Sequence, residues 1–157
     1  MHKVLIVNLT RLGDIVQSIP LLKALKRQNP LRQIHYLAVA GFSDICEHIP
    51  EIDRVIPFNF GSAVFVAKEA IRDLQRRLDE VQAFIDELRG EQYTAVINLS
   101  HSRISALICH ALDAPDTRGL TLNREGFRLI QHRWAKYFYV ANLNRSLNRI
   151  NLTDMNL

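Results

Sequence analysis

Residues 4–14 run Val-Leu-Ile-Val-Asn-Leu-Thr-Arg-Leu-Gly-Asp, which describes a strand that ends in a polar turn. The first six residues are mostly apolar and do not alternate with polar ones, a pattern typical of a strand buried on both faces of a parallel sheet. Apolar residues then recur at helical spacing over residues 15–25. In this unit we expect Gly13 to permit a tight turn, Asp14 to cap the helix, and Pro20 to kink or restart it.

The same alternation of strands and helices continues along the chain. Further strands are predicted over 34–40, 54–58, 93–99 and, as a short piece, 118–120, with helices over 42–48, 67–89 and from 104 to 112. This order predicts an α/β fold, a Rossmann-like parallel sheet flanked by helices, because parallel strands need crossover connections. We assign residues 1–140 to one domain and 141–157 to a tail or the start of an interdomain connection.

The clearest helical pattern is an apolar stripe over residues 71–88. Its members recur every three or four residues, at Ile71, Leu74, Leu78, Val81, Ile85 and Leu88. This spacing favours a long helix that packs along its own sheet. The same spacing is compatible with a short coiled-coil seam, which stays open as an alternative.

Composition limits the function classes. With 157 residues, 48% hydrophobic and 23% charged, the chain has the make-up of one globular domain. Fifteen of its 20 cationic side chains are arginine, and the net charge of +4 permits an anionic ligand. The two cysteines, Cys46 and Cys109, lack the spacing of a disulfide framework or a zinc site, so we expect a reducing, cytoplasmic setting and no metal. No apolar run is long enough to span a membrane, so any membrane contact would be peripheral.

Two polar clusters follow predicted strands and are expected to meet. Thr10, Arg11, Gly13 and Asp14 follow the first strand, and Ser100, His101, Ser102 and Arg103 follow the fourth. In open parallel sheets, ligands bind beyond the carboxyl ends of the strands where the strand order reverses, which here would lie between these two strands. A basic group at the start of the long helix, Lys68, Arg72 and Arg76, is expected at the same edge.

Asp14 has two possible roles at this stage. A carboxylate at a helix amino terminus can be a cap, or it can serve as a general base in a crevice. Neither GxGxxG nor GxxxxGK occurs in this turn, so a dinucleotide-binding or P-loop enzyme is not predicted. The basic group can likewise be a solvated helix face rather than an anion site.

The turn and the helix after it resemble a known family. Residues 8–14, Asn-Leu-Thr-Arg-Leu-Gly-Asp, and 19–26, Ile-Pro-Leu-Leu-Lys-Ala-Leu-Lys, are similar to the amino terminus of glycosyltransferase family 9, the ADP-heptose:lipopolysaccharide heptosyltransferases. Residues 52–56, 93–99 and 118–120 agree in the same order. The resemblance implies the amino-terminal, acceptor-binding half of a GT-B fold, and we expect the donor-binding half of that fold to be absent from this sequence.

The resemblance also implies a reaction and its participants. Asp14 matches the family's proposed general base for inverting transfer from an ADP-heptose-like nucleotide sugar. The acceptor would be the phosphorylated, Kdo-bearing inner core of lipopolysaccharide, at the cytoplasmic face of the inner membrane. Acceptor binding is expected from Thr10, Arg11, Gly13, Lys68, Arg72, Ser100, His101 and Arg103, without a metal or other cofactor. Without a donor site, this chain alone is not expected to transfer sugar.

Two hypotheses from other functional classes compete with the transferase hypothesis. A nucleic-acid-binding module would use the arginines together with the aromatic cluster Trp134, Tyr137, Phe138 and Tyr139. Acidic residues are interspersed with the arginines, however, and a packed terminal helix would bury the aromatic side chains. A non-catalytic single-domain module that binds a ligand or a partner is the stronger alternative, with the apolar stripe as its contact surface.

Overall fold

The computed structural model describes residues 2–59 and 71–143, excluding the side chains of residues 71–74, 134, 138 and 141–143. The strands are β1 (Lys3–Asn8), β2 (Gln33–Val39), β3 (Arg54–Phe58), β4 (Ala95–Asn98), β5 (Asp116–Leu122) and β6 (Arg128–Gln131). The helices are α1 (Leu12–Gln28), α2 (Ser43–Glu47), α3 (Ile71–Gly90), α4 (Arg103–Leu112) and α5 (Arg133–Leu143), with a 3-10 turn at Ala40–Phe42. None of the helices in these two ranges has the length and hydropathy of a transmembrane span.

The strands form one six-stranded sheet in the order β3-β2-β1-β4-β5-β6. Strands β1 to β5 are parallel, and β6 pairs with β5 in the antiparallel sense. The predicted α/β fold is therefore confirmed, including the reversal of strand order between β1 and β4. Strand β6 was not predicted from the sequence.

The core is divided between the two faces of the sheet. Along β1, Val4 and Ile6 pack on the face covered by α1 and α2, whereas Leu5, Val7 and Leu9 pack on the face covered by α3 and α4. Both sets are buried, which is why the sequence of β1 lacks alternation between apolar and polar residues.

Helix α1 excludes one of the two options predicted at Pro20 and differs from its prediction at Gly13. It continues from Leu12 to Gln28 with Pro20 inside it, so the helix is not restarted at the proline. Gly13 is the second helical residue rather than a tight turn, and its backbone does not have positive φ. A tight turn at Gly13 was therefore a wrong prediction, because Arg11 already occupies the N-cap position with an extended backbone.

Helix α3 packs on the sheet through only part of its stripe. Ile85 and Leu88 are buried, but Leu78 and Val81 are 47% and 40% exposed. The prediction that the whole stripe packs on the sheet is therefore wrong for these two residues. Ile71 and Leu74 lie among the side chains that are not described.

The last described elements, β6 and α5, cover the edge of the sheet beyond β5. The expectation that a terminal helix buries the aromatic cluster fails for Tyr137, which is 44% exposed, while Tyr139 is half-buried. The side chains of Trp134 and Phe138 lie outside the described set. The first three residues of the predicted tail, 141–143, belong to α5. The rest of the tail lies outside the described residues.

Candidate functional site

The loops after β1 and β4 are joined at the carboxyl edge of the sheet. The backbone N–H of Leu9 donates to Ser100 Oγ at 2.7 Å, and the N–H of Leu99 donates to the carbonyl oxygen of Val7 at 2.9 Å. These two hydrogen bonds link segments about 90 residues apart in the sequence. The predicted convergence of the two polar clusters at the strand-order reversal is therefore what the fold contains.

Asp14 lies in the first turn of α1 with an exposed carboxylate. It is the third helical residue, and its Oδ2 accepts a hydrogen bond from the backbone N–H of Arg11 at 3.3 Å. Asp14 thus caps the helix from inside its first turn, through a single long hydrogen bond. Its exposure leaves the carboxylate accessible to a bound hydroxyl.

The other predicted residues of this loop differ in exposure. Thr10 is half-buried, and its hydroxyl donates to Asn8 Oδ1. Arg11 and Gly13 are exposed, and apart from the adjoining residues and the backbone of α1 itself, no atom lies within 4 Å of the position that a Cβ on Gly13 would occupy. The space beside the first turn of α1 is therefore open on the side of Gly13.

The loop after β4 contains one buried and several accessible side chains. Ser100 is fully buried, and its hydroxyl bonds to the backbone of β1 and the turn after it, so it braces the loop rather than facing the crevice. This corrects the expectation that Ser100 contacts an acceptor. Ser102 caps α4 by accepting from the N–H of Ser105 at 3.0 Å, and Arg103 is the exposed first residue of that helix.

His101 belongs to the loop after β4 and contacts α5. Its ring packs against Tyr139 with a centroid separation of 5.6 Å and an interplanar angle of 59°. His101 is exposed, but partial desolvation of its ring lowers its pKa, and the carboxylate of Asp14 acts in the opposite direction. His101 and Asp14, which come from different loops, are therefore within electrostatic reach of each other.

The predicted basic group is not brought to the site by any described contact. Lys68 lies outside the described residues, and the side chain of Arg72 is among those not described. Arg76 is exposed and lies 3.6 Å from Glu80 on its own helix, as a solvated helix face would place it.

Two asparagines support the loops, and neither was among the predicted acceptor-binding residues. Asn8 ends β1, and its Nδ2 donates to Tyr36 Oη at 2.7 Å on the α1 face. Asn98 ends β4, where its Oδ1 accepts from the N–H of Ser100 at 2.9 Å and its Nδ2 donates to the carbonyl of Leu120 at 2.6 Å. Their sequence signal is a polar residue at the end of an otherwise apolar strand.

A metal-binding arrangement does not occur among the described residues, where no three His, Cys, Asp or Glu side chains are grouped. Cys46 and Cys109 are buried apolar-site thiols. Burial raises the pKa of Cys46 to about 11 and that of Cys109 to about 12, so both remain thiols at neutral pH.

A separate apolar groove of about 750 Å³ lies between α3 and α4. Its floor includes Phe58 and Ile85, and its rim includes the exposed residues Leu78, Val81 and Leu107. Asp14 and His101 do not line it. The groove is therefore distinct from the surface formed by the two loops.

Comparison with known proteins gives a consistent result. No family model matches the chain. Lipopolysaccharide heptosyltransferase 1 of Campylobacter coli is 28% identical over 148 residues, which cover 93% of this chain. The resemblance to glycosyltransferase family 9 is confirmed. The mostly parallel sheet and its flanking helices match part of the GT-B-like fold of the solved heptosyltransferases.

Two solved structures of family 9 proteins align over almost the whole chain. The family 9 glycosyltransferase of Veillonella parvula has a TM-score of 0.66 and 21% identity over 99% of this chain. Escherichia coli heptosyltransferase WaaC with ADP-2-deoxy-2-fluoro heptose has a TM-score of 0.67 and 21% identity over 98%. The chain spans 37% of the Campylobacter coli relative and 39% and 45% of these two structures, less than half of each.

Proposed function

We propose that this chain is the acceptor-binding part of an inverting, heptosyltransferase-like glycosyltransferase, with Asp14 as the general base. The observation that supports this most directly is the exposed carboxylate of Asp14 at the edge where the β1 and β4 loops meet. Ligands of open parallel sheets bind at this place in the fold. The match to heptosyltransferases supplies the reaction class.

In the proposed reaction, an acceptor hydroxyl hydrogen-bonds to the Asp14 carboxylate. The hydroxyl oxygen attacks the anomeric carbon of an ADP-heptose-like donor, its proton passes to Asp14, and the bond to the diphosphate breaks on the opposite face. The nucleoside diphosphate leaves with the bonding electron pair, and the anomeric configuration inverts. A general base must lie within hydrogen-bonding distance of the proton that it removes, and an exposed carboxylate permits this approach. The residues that bind the donor are not assigned to this chain.

The acceptor is proposed to be the phosphorylated, Kdo-bearing inner core of lipopolysaccharide. Arg11 and Arg103 are exposed at the amino-terminal ends of α1 and α4, beside the two loops. Guanidinium groups and helix amino termini both favour bound carboxylates and phosphates. His101 adds a ring that can donate or accept a hydrogen bond next to Asp14. The site of action would be cytoplasmic, at the membrane surface that carries this acceptor.

Acceptor binding can be tested on this chain by itself. A Kdo disaccharide titrated into ¹⁵N-labelled protein should perturb the amides of Gly13, Asp14 and Arg103. Arg11→Gln should weaken binding, and Arg27→Gln is the matched control, because it removes the same charge about 24 Å away at the other end of α1. Perturbations confined to residues elsewhere, or equal effects of both substitutions, would refute the proposed site.

Transfer is tested with the native gene product, whose intact mass is measured first in the source cells. With ADP-heptose and a Kdo-bearing acceptor, Asp14→Asn should abolish transfer and leave the fold intact. Asp44→Asn removes an exposed carboxylate from the first turn of α2 and should leave transfer unchanged. Full activity of Asp14→Asn would exclude Asp14 as the base.

A ligand- or partner-binding module without catalysis is the second candidate. It is supported by the groove between α3 and α4, where Leu78, Val81 and Leu107 are exposed. If the Kdo disaccharide does not bind and substitutions along this groove abolish association with another protein, this function replaces the transferase.

A further inference from the structure

The hydroxyl of Tyr36 is buried and is shared by two polar side chains from different elements. Tyr36 is a fully buried residue of β2. Its Oη accepts a hydrogen bond from Asn8 Nδ2 at 2.7 Å and lies 2.8 Å from Ser18 Oγ. Asn8 and Ser18 are also buried, at the end of β1 and within α1 respectively. The three side chains therefore form a polar chain inside an otherwise apolar layer.

The donors in this chain can be assigned from the number of hydrogens available. Ser18 Oγ carries one hydrogen and lies 2.7 Å from the carbonyl oxygen of Ile15, which can only accept. Ser18 therefore accepts from the Tyr36 hydroxyl. At the other end, the hydroxyl of Thr10 donates to Asn8 Oδ1. The donation runs in one direction, from Thr10 through Asn8, Tyr36 and Ser18 to Ile15.

The two ends of the chain lie on either side of the segment that carries Asp14. Thr10 immediately precedes residues 11–14, and Ile15 immediately follows them. Tyr36 Oη connects the two ends of this segment, because it bonds to Asn8 on the amino-terminal side and to Ser18 on the carboxy-terminal side. Tyr36 itself is in β2, and its aromatic ring packs in the core with residues such as Ile15 and Leu22.

We propose that Tyr36 is a positioning residue for Asp14: its buried hydroxyl fixes both ends of the 11–14 segment against the sheet. Tyr36 would not contact the substrate itself. Its effect on catalysis would come through the position of Asp14, and this part of the inference rests on the proposed function. Tyr36 does not relay protons, because the amide of Asn8 accepts at oxygen and donates at nitrogen. Burial also raises the pKa of Tyr36 well above its usual range, so the hydroxyl retains the proton that it donates to Ser18.

Tyr36→Phe tests the proposal, and Tyr93→Phe is the matched control. Both tyrosines are buried, and the hydroxyl of Tyr93 lies 2.9 Å from His35 Nδ1. Tyr93 comes just before β4, at the amino-terminal end of the strands, away from the loops after β1 and β4. Phenylalanine keeps the ring in each case. In the ligand-free protein, Tyr36→Phe should shift the amide resonances of residues 9–15 and speed hydrogen exchange of the Asp14 and Ile15 amides by about tenfold more than that of the core strands. Tyr93→Phe should leave these amides unchanged.

The opposite pattern overturns the proposal. If both variants lose global stability and neither moves residues 9–15 selectively, Tyr36 is only a core residue. If Tyr36→Phe does not fold, Ser18→Ala removes the two hydrogen bonds at the Ile15 end and leaves the Asn8–Tyr36 bond, so it should shift Asp14 and Ile15 more than Thr10. An absence of any such local shift in Ser18→Ala would also refute the positioning role.

A second measurement separates this inference from the proposed function. A Kdo disaccharide should bind Tyr36→Phe about tenfold more weakly than Tyr93→Phe, with both measured under conditions where the variants are folded. If the parent chain does not bind the disaccharide, the proposed function fails, while the ligand-free resonances still decide whether Tyr36 positions the segment. Equal affinity of both variants, in a chain that binds, would show that the position of this segment does not depend on Tyr36.

Discussion

Replacing Gly119 by alanine should destabilise the fold at the strand that supports the β4 loop. Gly119 lies in β5 opposite Asn98 of β4 and has a φ of +97°. A Cβ at this position would overlap the backbone oxygen of Asn98 and lie 3.2 Å from its carbonyl carbon. The obstacle is backbone in a central strand pair, so it cannot be relieved by rotation of a side chain.

The expected loss combines two costs. Holding a non-glycine residue in this region of positive φ costs about 1–3 kcal/mol. Inserting a methyl group against fixed backbone costs about another 1–3 kcal/mol. Gly119→Ala should therefore lower the free energy of unfolding by about 2–6 kcal/mol, a large part of the total for a domain of this size.

Two other glycines provide controls that separate these costs. Gly126 has a φ of +80° but open space around its Cβ position, so Gly126→Ala should show the backbone cost alone. Gly13 has neither feature, and Gly13→Ala in the first turn of α1 should change stability by less than about 1 kcal/mol.

Urea unfolding of the three variants provides the measurement, with midpoints compared at unchanged slope. Amide resonances of residues 99–103 should also move in Gly119→Ala, because the displaced Asn98 holds the N–H of Ser100. If Gly119→Ala is no less stable than Gly126→Ala, the close approach of β5 to Asn98 does not exist as described.

Three further substitutions test the site and its surroundings. Ser100→Ala should lower the free energy of urea unfolding by about 1–3 kcal/mol, because the buried N–H of Leu9 loses its acceptor. A loss below this range would mean that Ser100 does not hold the two loops together. Asp14→Asn should change the free energy of unfolding by less than about 1 kcal/mol, because its carboxylate is exposed and accepts one long hydrogen bond; a larger loss would make Asp14 a structural residue. Burial lowers the pKa of His35 below 6.5, so the unfolded state binds a proton first and stability should fall as the pH drops through 6.5 and level off below the folded-state pKa. His35→Gln should flatten this part of the profile measured by urea unfolding at a series of pH values, and an unchanged slope would contradict the assignment.

The fold could be predicted from the sequence wherever one local pattern determines one helix or strand. Strand β1 and helix α1 are examples, because a buried parallel strand and an amphipathic helix have different periods. Strand β6 was not accessible, since only Ile130 of its four residues is even half-buried and the strand forms by pairing with β5. Its signal was the turn at Asn123, whose side-chain oxygen accepts from the N–H of Phe127 at 2.8 Å.

The extent of burial along α3 was also beyond the sequence. Periodicity identifies the residues that share a helix face, but it does not show where the sheet beneath them ends. Ile85 and Leu88 therefore lie over the core, and Leu78 and Val81 on the same stripe line an open groove. The sequence pattern is the same for both pairs, and only the tertiary position distinguishes them.

The candidate site shows the same division between what a pattern contains and what packing decides. Ser100 and Arg103 follow the same strand and are equally polar in the sequence. Packing then assigns the buried hydroxyl of Ser100 to backbone partners, whereas the guanidinium of Arg103 remains exposed. The sequence predicts that the loops after β1 and β4 meet, but it does not show which of their side chains are buried and which are exposed.

The side chains that hold the two loops in position therefore differ from Asp14, the side chain that is proposed to react. Asn8 and Asn98 use their amide groups on opposite faces of the sheet, toward α1 and α4, and Ser100 connects the two loops between them. Because the hydrogen bonds of these buried groups are made within the protein, replacing one of them should change stability and loop position together. Asp14 is exposed and accepts one long hydrogen bond, so under the proposed function its replacement should lower sugar transfer with little change in stability. A set of single substitutions should therefore separate into two groups when stability is plotted against the rate of sugar transfer by the native gene product. A single continuous correlation between stability and transfer would show that the buried groups and Asp14 do not have separate roles.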